Sequence, residues 1–214
     1  MEGVTIDHDT TATARREHRS AQDRREQLLD AAIAVMSREG VASATTRAIT
    51  EQAGVPHGVF HYCFGSKSEL FAALFGREIA KTLGAAGAAL HAETDVRRGL
   101  HAALTAQLDL VRAAPEYHLA LAELSLLAQR SPSLAHLAVW EQREYRSRIR
   151  TNLEQWSTAI DARWTLPLDQ VAALLVATGA GTVSTWLGDR DDLSAENAVA
   201  AATSALSALA LPTG

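Results

Sequence analysis

TTRAITEQAGVPHGVFHYCFGSKSEL, Thr45 to Leu70, is the stretch on which the reading of this 214-residue chain turns. Thr45 is a strong helix N-cap, because its hydroxyl can accept a hydrogen bond from a free N–H of the first turn. Ile49 and Ala53 then share one face of a short helix. Gly54 suits a tight turn that requires positive φ. Pro56 fits the first turn of a second short helix, where its missing N–H is not needed. Phe60 and Phe64, four residues apart, anchor that helix in a core. Ser66 and Glu69 have the spacing of a capping box at the start of a longer helix.

Upstream, Leu28, Ala32, Val35 and Met36 give one apolar face to a helix that begins near Arg24 and ends at Gly40. Residues 1–20 are polar and aperiodic and read as a disordered tail. Downstream, apolar residues keep helical spacing in six further segments. The first runs from Ser66 to about His91, with Leu70, Leu74, Ile79, Leu83 and Leu90 apolar. The second runs from about Asp95 to Pro115 around Leu100, Leu104, Leu108 and Val111, and the third from about Glu116 to Gln129. A long helix carries Leu137, Tyr145, Ile149, Leu153, Trp156 and Ile160 and ends before Pro167. The last two span about Leu168 to Leu187 and Ser194 to Leu211. The pattern predicts nine helices, no strand and no repeat of fixed period.

Two short helices joined by a glycine turn and braced by a preceding helix have helix-turn-helix geometry. The second helix enters the DNA major groove and the first lies across the backbone. An ordinary helical hairpin shares this outline when only the Ala-Gly-Val turn is considered. The match is longer than that turn. Gly40, Thr45, Ile49, Ala53, Gly54, Val55, Pro56, Gly58, Phe60, Phe64, Ser66, Lys67 and Leu70 fall, without gaps, on the pattern of the DNA-binding domain of tetracycline-repressor (TetR) regulators, which residues 24–75 resemble. Beyond residue 75 only the number and lengths of the helices agree. The resemblance implies an all-α chain: a three-helix DNA-binding domain with the helix-turn-helix (21–68), then a six-helix ligand-binding and dimerisation domain (69–214).

Carried over residue by residue, the resemblance implies a set of DNA contacts. Thr45 caps the first helix of the pair and Thr46 bonds a phosphate. Arg47 stands where some family members reach a base edge. A bidentate grip on guanine and a phosphate contact both remain open for it. His57 opens the recognition helix and is its best base-reading candidate. Gly58 lets the backbone approach DNA, Val59 touches a thymine methyl, and the Tyr62 hydroxyl reaches a phosphate. Lys67, at a helix start, suits a phosphate through its ammonium and the free backbone N–H groups. Two positions depart from the pattern. His61 replaces the usual tyrosine and can still donate to a phosphate or base. Cys63 replaces the usual histidine or tyrosine and is a poor phosphate ligand. His57, His61 and Cys63 lack a fourth ligand, so no metal is expected. Without a second cysteine no redox sensor is expected at Cys63, and no cofactor is expected.

Charge alone does not point to nucleic acid, since the chain carries −5 at pH 7. Its distribution is more favourable, because residues 11–70 hold eight basic and seven acidic side chains. Arg15, Arg16, Arg19, Arg24 and Arg25 cluster ahead of the first helix, where they either touch DNA or form a solvated tail. The single cysteine excludes an internal disulfide framework and suits a reducing cytoplasm. No apolar run is expected to reach the ~18 residues needed to span a membrane, and no signal peptide is expected.

The resemblance further implies a homodimer, double-stranded operator DNA and a small-molecule effector as partners. Leu174, Thr178, Gly181, Thr182 and Thr185, with Ala198, Ala202, Ala205, Leu206 and Leu209, put small and apolar residues on one side of the last two helices. These can form a four-helix interface between protomers or pack internally. Polar and aromatic residues within the apolar pattern are the pocket candidates: His101, Gln107, Tyr117, His118, Glu123, Trp140, Tyr145, Asn152 and Trp156. The reading is of a ligand-responsive transcriptional regulator, a repressor released from a palindrome by an inducer. An activator or protein-sensing regulator is the rival. A small all-helical enzyme is a weaker one, for no nucleophile–base pair or phosphate loop supports it.

Overall fold

A computed structural model describes residues 9–211, with side chains from Ala21 onward. It contains nine α-helices among the described residues: α1 Asp9–Glu39, α2 Thr46–Ala53, α3 Gly58–Cys63, α4 Lys67–His91, α5 Val96–Ala113, α6 Pro115–Arg130, α7 Ala135–Ala159, α8 Leu168–Asp189 and α9 Asp192–Ser207. They form two compact units, Met1–Leu74 and Phe75–Gly214. The division falls inside α4.

In the first unit, α1 begins at Asp9, so residues 9–20 carry helical backbone where the sequence reads as aperiodic. The physical reason is that no glycine or proline stands between Asp9 and Glu39 to stop a helix propagating outward. Residues 1–8, and the Arg15, Arg16 and Arg19 side chains, lie outside the described residues. Leu28, Val35, Ile49, Phe60, Phe64 and Leu70 are buried and make the core of this unit. A short 3₁₀ turn, Val41–Ser43, which the sequence did not announce, seats Val41 in that core.

Thr45 caps α2 by accepting from the Ala48 amide at 3.1 Å. Gly54 follows α2 in the left-handed conformation, φ 65° and ψ 33°, which an L residue adopts at a cost of roughly 1–2 kcal/mol. Helix α4 is capped by Ser66, whose hydroxyl accepts from the Glu69 amide at 3.1 Å. Glu69 reaches back to the amide of Gly65 at 2.9 Å, one residue beyond the expected partner of a capping box.

In the second unit, Leu100, Leu104, Leu108, Val111, Leu153, Val171, Trp186, Val199 and Leu206 form the main core, drawn from α5, α7, α8 and α9. Asp95 caps α5, and Pro115 takes the first position of α6. Helix α9 begins at Asp192 rather than near Ser194, because Asp191 is the cap and accepts from the Ser194 amide at 3.1 Å. No strand occurs among the described residues. A single antiparallel bridge, Trp164 with Ala210, ties the segment after α9 to the one after α7.

One expectation is corrected here. Helix α8 is long and apolar enough, by length and composition, to cross a membrane, with a window of mean hydropathy 1.5. The stretch does not read as one apolar run because Thr178, Thr182, Ser184 and Thr185 punctuate it, although it carries no charge between Gln170 and Gly188. Val171, Ala172, Gly179 and Trp186 of α8 are buried among α5, α7 and α9.

Candidate nucleic-acid interface and internal cavity

The helix-turn-helix is held by contacts that the sequence did not reveal. Gln27 Nε2 donates to the Ala53 carbonyl at 2.8 Å, fixing the end of α2 against α1. Arg25 donates to the Cys63 carbonyl at the end of α3, and its guanidinium lies 4.2 Å from the centre of the Phe64 ring. It also pairs with Glu69 at 3.7 Å. Arg25, expected in a basic cluster for DNA, is therefore engaged as a brace between α1, α3 and α4. Arg24 bonds Gln27 at 2.9 Å on its own helix.

Phe60 and Cys63 point inward from α3, and its other face is exposed. His57, Gly58, His61 and Tyr62 are all exposed, Tyr62 at 77%. The imidazoles of His57 and His61 lie 5.4 Å apart, edge to face. Val59 is half-buried. A Cβ on Gly58 would meet no atom within 4 Å, so in the free protein the glycine is not required by the fold. On α2, Thr45 and Arg47 are exposed and Thr46 is half-buried. Arg47 Nε pairs with Glu51 at 2.8 Å across one turn, and that hydrogen bond pushes its pKa further up. Both partners are mostly solvated, so the pair yields readily to a phosphate or base. Lys67 is half-buried at the first position of α4, with Nζ 5.3 Å from the Phe71 ring centre. Cys63 is buried, and burial pushes its thiol up against the opposing charges of Arg25 and Arg24. It offers neither a phosphate contact nor a reactive thiolate.

The second unit holds a partly open cavity of about 280 Å³, walled by α4, α5, α6, α7 and α8. Most of the wall is aliphatic, including Leu83, Leu104, Leu121, Ile149 and Leu175. His118, Tyr145 and Asn152, expected as pocket residues, line it, as does Gln107. The other expected positions do not line it. His101 and Glu123 are exposed, and Tyr117 is half-buried with Lys81 over its ring. Trp140 is 38% exposed. Trp156 is buried in the core, donating from Nε1 to the Glu93 carbonyl at 2.8 Å.

Glu78, Thr82, Ser125, Glu141 and Gln142 also line the cavity and were missed. Glu78 is 7% exposed. Its Oε1 accepts from the Thr82 hydroxyl at 2.8 Å and lies 3.4 Å from His118 Nδ1, while its Oε2 is buried without a hydrogen-bond partner. Burial holds the His118 imidazole below its ordinary pKa, with Glu78 opposing and Lys81 reinforcing the shift. Glu141 accepts from the Ser125 hydroxyl at 2.8 Å, and burial raises its carboxyl above the usual range. Tyr145 is raised by burial and then by the charges of Glu78 and Glu141.

A short helix exposing His57, Gly58, His61 and Tyr62, braced by α1 and α2 behind a left-handed glycine turn, is a DNA-reading helix-turn-helix. The sequence profile of the bacterial regulatory proteins of the tetR family matches residues 28–74. The regulator BetI of Rhizobium meliloti is 32% identical over 139 residues, 65% of this chain and 68% of that protein. This chain belongs to the tetR family, whose members are DNA-binding transcriptional regulators rather than enzymes. The nicotine-responsive transcriptional repressor HdnoR of Paenarthrobacter nicotinovorans is 28% identical over 173 residues, 81% of this chain and 88% of that repressor. A solved transcriptional regulator from Rhodococcus sp. Rha1 has the same fold, with TM-score 0.70 and 24% identity, covering 89% of this chain and 99% of that one. FadR from Bacillus subtilis, solved with stearoyl-CoA, shares the fold at TM-score 0.65 and 17% identity, over 85% of this chain and 96% of that one.

Proposed function

We propose that this chain is a cytoplasmic repressor that binds a palindromic operator as a homodimer and leaves it when a small organic effector fills the cavity of the second unit. The observation that carries the DNA half is the exposed face of α3 beside Arg47 and Lys67. On this reading Thr46, Tyr62 and Lys67 hold phosphates, while Arg47, His57, Val59 and His61 meet base edges or the adjoining backbone. The cavity, largely aliphatic with a few placed polar groups, has the character of a small-molecule site. HdnoR's name, nicotine-responsive repressor, accords with a small organic inducer. Release requires the effector to bind one dimer shape more tightly than the other. Helix α4 is the natural lever, since Lys67 begins it and Glu78 and Thr82 lie further along it.

Selection of bound sequences from a random DNA pool tests the reading, with enrichment of a palindrome expected. On the selected site, Lys67→Ala should weaken all sequences alike and flatten the salt dependence by about one unit of slope. Arg47→Ala should relax discrimination at one base pair by about tenfold or more if it reads a base. Unchanged binding by both variants, with helicity intact, would remove these residues from the interface.

The dimer reading rests on α8, of whose most apolar window only 28% is buried within the chain. Ala173, Leu174, Ala177, Gly181 and Thr185 form a continuous exposed face of small and apolar residues, while on α9 Ala198 and Ala205 are exposed. Leu206 belongs to the internal core instead. Leu174→Arg should convert the chain to monomer in sedimentation analysis and weaken operator binding, because a charge cannot be buried unpaired in such a seam. A variant that sediments as the parent does would move the interface elsewhere.

A further inference from the structure

The acceptors around the cavity exceed its donors. Among its lining residues are two carboxylates, Glu78 and Glu141, and no lysine or arginine. The cations nearest this end, Arg77 and Lys81, are on α4 but outside the lining, and Lys81 sits over the Tyr117 ring at 4.8 Å. Glu141 accepts one hydrogen bond, from the Ser125 hydroxyl, while Glu78 is served by the Thr82 hydroxyl and the Tyr117 phenol, with His118 Nδ1 at 3.4 Å from its Oε1. A carboxyl group can accept at both oxygens, so part of this capacity is unused. Glu78 Oε2 is the sharpest case, a buried oxygen of a carboxylate without a partner. The Tyr145 phenol lies within the field of both carboxylates, and its ring and that of Phe75 add π faces to the wall.

We infer that the cavity takes an amphipathic organic amine, its ammonium group held by Glu78 and Glu141 and its apolar body lying along the leucine-lined wall. This rests on the effector reading given above and names the class of effector. A protonated amine supplies both missing items, positive charge and N–H donors, where a buried charge interaction is strong. The aromatic faces of Phe75 and Tyr145 add attraction for a cation. A carboxylate or phosphate group would face two carboxyl groups with no lysine or arginine in the lining, which disfavours an anionic headgroup at this end. The cavity lies just below the roughly 300–1,000 Å³ of drug-sized sites, so the amine is small.

The test uses the full chain and three probes with one skeleton: 4-phenylbutylamine, 4-phenylbutan-1-ol and 4-phenylbutyrate, titrated by calorimetry and into the complex with selected DNA. The amine should bind at least about tenfold tighter than the alcohol, the worth of one charge-assisted contact, and the butyrate weakest. Glu78→Gln, nearly isosteric, should erase that preference, and Glu141→Gln should reduce it. Thermal unfolding of each variant separates loss of binding from loss of fold. Equal or tighter binding of the alcohol or the butyrate overturns the amine assignment, as does a preference that survives both substitutions. If one of those two binds and releases DNA, the effector reading stands and only the amine falls. If none of the three binds the folded protein, the amine assignment falls. The effector reading falls as well only if no compound of any charge releases DNA in a manner blocked by filling the cavity with Ala103→Phe.

Discussion

Phe60→Ala is expected to abolish specific DNA binding, although Phe60 cannot touch DNA. Its side chain is fully buried, with its ring centre 5.9 Å from that of Phe64. Truncation of a buried phenylalanine costs about 3–5 kcal/mol. A unit of this size has a stability of only about 4–11 kcal/mol at roughly 0.05–0.15 kcal/mol per residue. Helix α3 is especially vulnerable. It has six residues, far below the ~12–15 at which an isolated helix becomes even marginal in water, so its helicity depends on the packing of its buried face. His57, His61 and Tyr62 are presented outward because Phe60 is held inward. The same substitution at the exposed neighbour, His61→Ala, should leave the fold within about 0.5 kcal/mol of the parent and act on DNA contacts alone. Fluorescence anisotropy on the selected site, paired with hydrogen exchange, reads both effects. The expected pattern is loss of protection confined to the first unit for Phe60→Ala, and unaltered protection with weakened binding for His61→Ala. Binding by Phe60→Ala within about threefold of the parent, or roughly 0.7 kcal/mol, would show that the core position is not what orders the reader.

Local physics made the reader legible. Thr45, Gly54 and the Phe60/Phe64 pair each act within a few residues, and each holds the position its chemistry suggests, whereas Pro56 precedes the His57 cap of α3 instead of standing in its first turn. What remained hidden was long-range. Nothing in the spacing says that Arg25 will be drawn to the Cys63 carbonyl, or Gln27 to that of Ala53, because those partners are far along the chain. Burial of Cys63 was hidden for the same reason.

The cavity was harder to read. Periodicity says which residues point inward, not whether an inward residue meets a neighbour or a void. Glu123 sits in an apolar local sequence, yet it lies off the stripe of Ala120, Leu121, Leu124 and Ala128 and is exposed. Glu141 lies on its stripe, four residues after Leu137 and four before Tyr145, and lines the cavity. Glu78 likewise falls between Leu74 and Thr82 at helical spacing. A carboxylate at a stripe position was the available signal, and hydropathy of the surrounding string was the wrong measure of it.

Trp156→Ala is expected to lower the unfolding temperature by about 10 °C or more, and a second substitution tests the reason. Trp156 is 1% exposed. Its removal costs about 3–5 kcal/mol for the cavity left behind, before counting the Glu93 carbonyl that loses its Nε1 donor. In a chain of this length each kcal/mol is worth roughly 2–4 °C. The indole lies directly over Gly99 of α5. A Cβ at Gly99 would stand 2.9 Å from Trp156 Cη2, overlap Cζ2, and come within 3.3 Å of Leu90 Cδ1. The ring cannot swing aside, since it is buried and tethered by its hydrogen bond. Gly99→Ala in the parent should therefore destabilise: overpacking of about 1–3 kcal/mol outweighs the ~1 kcal/mol that alanine gains over glycine in a helix. In the Trp156→Ala background the obstruction is gone and the same Gly99→Ala should stabilise by up to about 1 kcal/mol. The sign reversal, measured as a double-mutant cycle by denaturant unfolding, is the expected result. One sign in both backgrounds would mean that the glycine is there for another reason. The consequence reaches the ligand site, because Leu90, Leu100, Asn152 and Leu153, which line the cavity, flank this tryptophan and glycine. Trp156→Ala should accordingly weaken 4-phenylbutylamine even where the chain remains folded, whereas Gly99→Ala in that background should recover stability without recovering affinity.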